Sequence, residues 1–222
     1  MQDIFGDDLE LRKLFIKSLS HERLSRYRTI AHGDEIRAIR LYKWNSDLSQ
    51  SLGHSMQAWE ICLRNKLNAF LCWRYNSNWP YDETRAVRQM KGNDARRVRE
   101  ARERQERDRR MTQAPLGAIV ADLAAGFWVS LLGTSYDVPF SWTANLKRVF
   151  PHDRALDRRD AWTICDELLD LRNRIAHHEP ILHLPLEQRH RDLARIIAAM
   201  CPGTHAYCQG CCSFWDVWRR RP

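Results

Sequence analysis

In the ten residues Leu171-Arg172-Asn173-Arg174-Ile175-Ala176-His177-His178-Glu179-Pro180, a guanidinium, a carboxamide and two imidazoles fall within two helical turns of one another. Imidazole is the side chain best matched to giving and taking protons near neutral pH. Guanidinium presents paired N–H donors to a phosphate or to an oxyanion that develops on it. Asn173 and His177 are four apart and share a helical face. Arg172 is five before His177, so its Cα turns partly away while its long side chain can swing back. Pro180 cannot continue a helix and disfavours helical geometry at Glu179, which places His177 and His178 in the last turn. The helix dipole at that end favours a protonated imidazole. The plain alternative is a helix end decorated with polar caps, where histidine is common for the same electrostatic reason.

The element that must carry this stretch is legible just before it. Ala161, Ile164, Cys165, Leu168, Leu169, Leu171 and Ile175 recur at spacings of three and four, which marks one apolar helical face starting near Leu156 or Asp157. Similar patterns predict a helix over 9–19, with Leu11, Leu14, Phe15 and Leu19 inward. Ser20 caps a short helix to Ile30, and Asp34 caps one over 35–44. Asn45-Ser46-Asp47 predicts a break, followed by a long helix over 48–75 with Leu52, Met56, Trp59, Leu63, Leu67, Phe70 and Leu71 buried. A helix from Leu116 is predicted to run through Leu131 to Gly133, with further helices over 142–150 and 186–200. Residues 93–110 are nearly all charged, with Val98 the one large apolar residue, and arginines interleave with glutamates at i,i+4 spacings. A solvated surface helix or mobile insertion is the simple reading, and a phosphate-tracking arm carrying Arg96, Arg97 and Arg99 the sharper one. Strand signals are scarce, so the expected class is all-α.

The chain has 222 residues, a formal net charge of +8 and a sequence pI near 9.3. That balance suits a polyanionic partner such as nucleic acid. No apolar run reaches membrane-spanning length, and the N-terminus shows acids in place of an apolar signal core, so a cytoplasmic protein without membrane attachment is expected. The seven cysteines do not read as a secreted disulfide framework: Cys62, Cys72 and Cys165 sit in helical patterns as expected buried thiols, and four lie in the tail. One domain over 1–200, followed by a Cys/Trp/Arg-rich tail over 201–222, is the expected organisation. In that tail Cys208-x2-Cys211 has metal-ligand spacing, and Cys201 and His205 would complete four ligands. A zinc site of this type pairs two short spacings and the tail has one, so no metal or other cofactor is assigned; a partly ordered tail with reduced thiols is the simple reading.

The pattern Arg172-Asn173-x-x-x-His177 resembles the signature of the HEPN superfamily of α-helical ribonucleases. The longer string Leu-Arg-Asn-Arg-Ile-Ala-His-His-Glu-Pro-Ile is similar, more narrowly, to the Abi-like (abortive infection) family within it. Three further stretches agree in order: Leu41-Tyr42-x-Trp44-Asn45, Glu60-x-x-x-Arg64-Asn65, and Gly126-Phe127-Trp128-Val129-Ser130-Leu131 with Trp142 and Val149-Phe150-Pro151 behind it. The likeness spans residues 20–197. It implies a HEPN-like helical bundle, here with an Arg/Glu-rich helical insertion, and a metal-independent endoribonuclease acting in phage defence or as a toxin. Cleavage would leave 2′,3′-cyclic phosphate and 5′-hydroxyl ends. The implied catalytic residues are Arg172, Asn173 and His177, with Glu60, Arg64, His178 and Glu179 in support and Arg174 among the RNA contacts. Because the chain carries one motif, the resemblance also implies a homodimer that brings two motifs together. Glu60 and Arg64, four apart, read equally well as an intrahelical ion pair or as a brace for Arg172. The competing function is an RNA-binding module that holds a structured non-coding RNA without cutting it.

Overall fold

The computed structural model describes Phe5 and residues 8–222. Among these the protein is all-α, with short 3₁₀ turns and no strand.

The organising element is α3 (Glu35–Tyr75), a helix of 41 residues, about 60 Å long at the usual rise per residue. Asp34 caps it by accepting the backbone N–H of Arg37 at 3.0 Å. Its Leu48, Leu52, Met56, Trp59, Leu63, Leu67, Phe70 and Leu71 are all buried. α1 (Leu9–Leu19), α2 (His21–Ile30), α7 (Ala125–Ser130), α9 (Trp142–Val149), α10 (Arg158–Ala176) and α11 (Leu186–Met200) assemble on or beside it. α4 (Ala86–Gln89), α5 (Asp94–Arg109), α6 (Leu116–Asp122) and α8 (Asp137–Phe140) fill the span between the end of α3 and α9.

The break expected at 45–47 is absent, because each polar side chain there is satisfied without interrupting the helix. Ser46 Oγ donates to the Tyr42 carbonyl at 3.2 Å, Asp47 pairs with Lys43 at 2.5 Å, and Asn45 turns inward to a partner on another segment. The single helix expected over 116–131 is instead two. Leu123 and Ala124 leave helical geometry between α6 and α7, and the carbonyl of Leu123 accepts the Trp128 indole N–H at 3.2 Å. In α1 the expected inward face is partly wrong. Leu11 and Leu14 are exposed and Ile16 is buried, because α1 lies at the edge and turns a narrow stripe inward. Of the cysteines expected inside, Cys165 is sealed while Cys62 and Cys72 are half-buried.

The charged run forms α5 and is docked: Val98, Ala101 and the carboxylate-bearing Asp94 are buried. Asp94 accepts from the hydroxyls of Ser130 and Tyr136, both at 2.8 Å. The tail is ordered into α12 (Pro202–Cys211) and α13 (Phe214–Trp218), both packed on α3. Phe214 is fully buried, and Trp218 lies against Trp44 and Phe214.

Candidate functional site

α10 begins where Asp157 accepts the backbone N–H of Asp160 at 2.7 Å, and it buries Ala161, Ile164, Cys165, Leu168 and Leu171. That seating fixes which way its last turn faces. His177 is the C-cap, one step past the last helical residue. His178 follows in the left-handed region at φ 57°. Its N–H reaches the carbonyl of Ile175 at 3.1 Å, and the N–H of Glu179 reaches that of Arg174 at 2.8 Å. This pair of bonds is a Schellman ending, in which glycine usually takes the left-handed position. Here a histidine takes it, one of the residue types that tolerate that conformation best.

The turn is held from two other helices. Arg23 of α2 donates to the His178 carbonyl at 2.7 Å, and the buried Asn45 of α3 accepts the N–H of Ile181 at 2.8 Å. The sequence reads Asn45 as part of a helix break and of a family-like stretch, not as a support for this turn. Asn45 did carry a signal, since an amide on the buried side of an apolar helix needs a partner. Arg23 carried none.

Arg172 reaches across to α3, where its Nε donates to Glu60 Oε2 at 3.1 Å. Its side chain stays 40% exposed, and among the described residues the two terminal amino groups have no bonded partner. Glu60 and Arg64 form no ion pair with one another. The Nε of Arg64 is buried and unbonded. Asn173, His177 and His178 are exposed, and no side-chain bond holds either imidazole among the described residues. Glu179 does not orient a ring: its carboxylate goes to Arg174 at 3.2 Å, and Arg174 also binds Asp170 at 3.0 Å. Arg174 is thus engaged within the protein.

A third imidazole stands near this end. His183 Nδ1 lies 3.3 Å from Arg26 Nη1. Burial and then the neighbouring Arg26 and Arg174 hold its pKa below the usual histidine value, against an opposing pull from Asp170. Spacing along the chain gave no hint of it.

The arginines expected to track phosphate on α5 face carboxylates. Arg97 pairs with Asp94 at 3.0 Å, Arg99 grips Glu83 with two nitrogens, and Arg96 stands 3.7 Å from Glu100. The tail cysteines are spread along α12: Cys201 caps its start, Cys208 is buried and Cys211 is exposed. Among the described residues no three His, Cys, Asp or Glu side chains converge as a metal site would require. No described helix is long and apolar enough to cross a membrane.

No protein-family model, no curated protein and no solved structure matches the chain.

Proposed function

We propose that the protein is a metal-independent endoribonuclease of the HEPN, Abi-like kind, working as a homodimer in anti-phage defence. The observation that carries this reading is the state of Arg172. Glu60 fixes the guanidinium through Nε, the terminal amino groups are open, and the exposed Asn173 and His177 follow on the same helix end. A pre-placed guanidinium with free N–H donors suits the charge of a pentacoordinate phosphorane. In the proposed reaction the ribose 2′-hydroxyl attacks the adjacent phosphate and the 5′-oxygen leaves. One imidazole removes the 2′ proton while another supplies a proton to the leaving oxygen. A single protomer brings one His177, and a two-fold pairing brings the second. Arg64 keeps an unbonded, buried Nε one turn beyond Glu60 on α3. Phage defence rests on the sequence resemblance alone.

The test is RNA cleavage by the purified protein in EDTA, compared with His177→Ala. Because His177 is an exposed cap held by backbone bonds, the variant keeps its fold. It loses cleavage by at least 100-fold, the lower range for removing a general acid–base group. Full activity in that variant overturns the reading. Tight, salt-sensitive RNA binding without product would establish the non-cleaving module in its place.

A further inference from the structure

On the face of α3 turned toward α12 there is an open groove of about 520 Å³. Two cysteines line it, Cys62 and Cys201. Cys201 is the N-cap of α12, and its sulfur accepts the backbone N–H of Thr204 at 3.5 Å. Cys62 comes from α3, and Thr204 lines the groove with both cysteines. Lys66, one turn along α3, lines the same groove. Ala58, Ile61 and Tyr207 give it an apolar wall, with Ile61 and Tyr207 open to solvent.

The two thiols differ in the way that divides a nucleophile from its partner. Hydrogen bonds from the Thr204 hydroxyl and N–H, then the Gly203 N–H and the charge of Lys66, hold Cys201 below the usual thiol pKa. Burial, then the neighbouring Cys201, lifts Cys62 above it. Burial also raises Cys72 and Cys208 and pushes Cys165 up to about 12. A helix N-terminus and a nearby cation are what make a cysteine a thiolate, and a second thiol beside it is what resolves an oxidised one.

We propose that this groove is a thiol redox site for organic hydroperoxides, with Cys201 as the attacking sulfur and Cys62 as the resolving thiol. The Cys201 thiolate attacks the terminal oxygen of R–O–O–H. The O–O bond breaks, Cys201 becomes the sulfenic acid, and the alkoxide takes a proton from water to leave as the alcohol. The Cys62 sulfur then attacks the sulfenic sulfur. An S–S bond forms, the S–O bond breaks, and water leaves with the Cys62 proton. Two electrons pass from the two sulfurs to the peroxide, and an external dithiol resets the pair. The apolar wall favours an organic substituent over hydrogen peroxide. The disulfide would tie α12 to α3.

The test treats the reduced full-length protein with equimolar cumene hydroperoxide and maps the thiols by dimedone trapping and peptide mass spectrometry. The exposed Cys211 is the internal control. The expected product is a Cys62–Cys201 disulfide, formed at least 10-fold faster than Cys211 is oxidised. In Cys62→Ser, dimedone labels Cys201. In Cys201→Ser, where serine still caps α12 and the circular dichroism is unchanged, Cys62 stays reduced. Equal rates at Cys201 and Cys211, or identical sulfenate yields in wild type and Cys62→Ser, overturn the proposal. Hydrogen peroxide is expected to oxidise Cys201 more slowly than cumene hydroperoxide, and the reverse order overturns the assignment of an organic substrate.

Discussion

Arg172 Nε and Glu60 Oε2 meet at 3.1 Å across the contact between α10 and α3. The pair joins residues 112 apart in the chain, and both side chains remain partly open to water, 40% and 27% exposed. An ion pair so placed contributes about 0–1 kcal/mol to stability. Its larger effect is on where the guanidinium points. Glu60→Gln is therefore expected to leave the melting temperature within a few degrees of wild type. In the ribonuclease reading the same variant lowers RNA cleavage by about 10- to 100-fold, the scale of a misplaced positioning group. Thermal melting and a cleavage time course on one preparation separate the two effects. Unchanged cleavage would mean that Glu60 does not position Arg172 for chemistry.

The left-handed His178 gives a second expectation. A side chain in that conformation costs about 1 kcal/mol relative to glycine. The bond that Arg23 makes goes to the His178 carbonyl, which a replacement keeps. His178→Gly is expected to raise unfolding stability by up to about 0.5 kcal/mol, after the extra freedom glycine gives the unfolded chain is set against the relief. Urea unfolding measures it, and a lower midpoint would show that the imidazole makes a stabilising contribution of its own.

Which of these relationships the sequence announces depends on whether they are local. α10 is a local matter: an apolar period and an Asp157 cap lie within one stretch and the helix starts where they place it, but it stops at Ala176, so His177 and His178, expected in its last turn before Pro180, are the cap and the left-handed residue beyond it. The Asn45 to Ile181 bond spans 136 residues, and without it Asn45-Ser46-Asp47 reads as a helix break. The same holds for Leu123, whose carbonyl is released from the helix because Trp128 folds back to it. Glu60 could be read as bonded to Arg64 or to Arg172 because i,i+4 spacing and tertiary pairing leave the same trace in one dimension. α12 and α13 were illegible for a different reason. Their apolar residues are too few for a periodic signal, and Phe214 and Trp218 find their partners outside the tail on α11 and α3.

Acid should weaken the protein through His190. Its ring stacks on Phe214 with centroids 4.4 Å apart and stands edge-on to Trp215. Its Nε2 lies 3.2 Å from Cys212 Sγ. Burial, with Arg191 adding repulsion, holds its folded pKa below the ordinary value, which is near 6.5 in an unfolded chain. The folded state then binds fewer protons than the unfolded state between the two values. The contribution is complete above about pH 6.5 and is lost as pH falls from there toward the folded value. His183, depressed in the same direction, adds to the slope. Urea midpoints measured from about pH 7.5 down to about pH 5.5 should fall for wild type and fall less for His190→Gln. Parallel curves would show that His190 takes no part.

The last expectation concerns the tail as a structural element. Phe214 is fully buried between His190 of α11 and Trp218, and Trp218 in turn covers Trp44 of α3. The Trp44 indole N–H donates to the Val217 carbonyl at 2.9 Å, so the contact is both apolar and hydrogen-bonded. Removing a buried phenyl ring costs about 3–5 kcal/mol. That is a large part of the 5–15 kcal/mol by which a domain is usually stable. Phe214→Ala should therefore lower the unfolding midpoint strongly. Hydrogen exchange should speed up not only in α12 and α13 but around Trp44, since the loss uncovers that side of α3. A tail that merely rested on the surface would lose its own protection and leave Trp44 and the unfolding midpoint unchanged, and that result would separate α13 from the core.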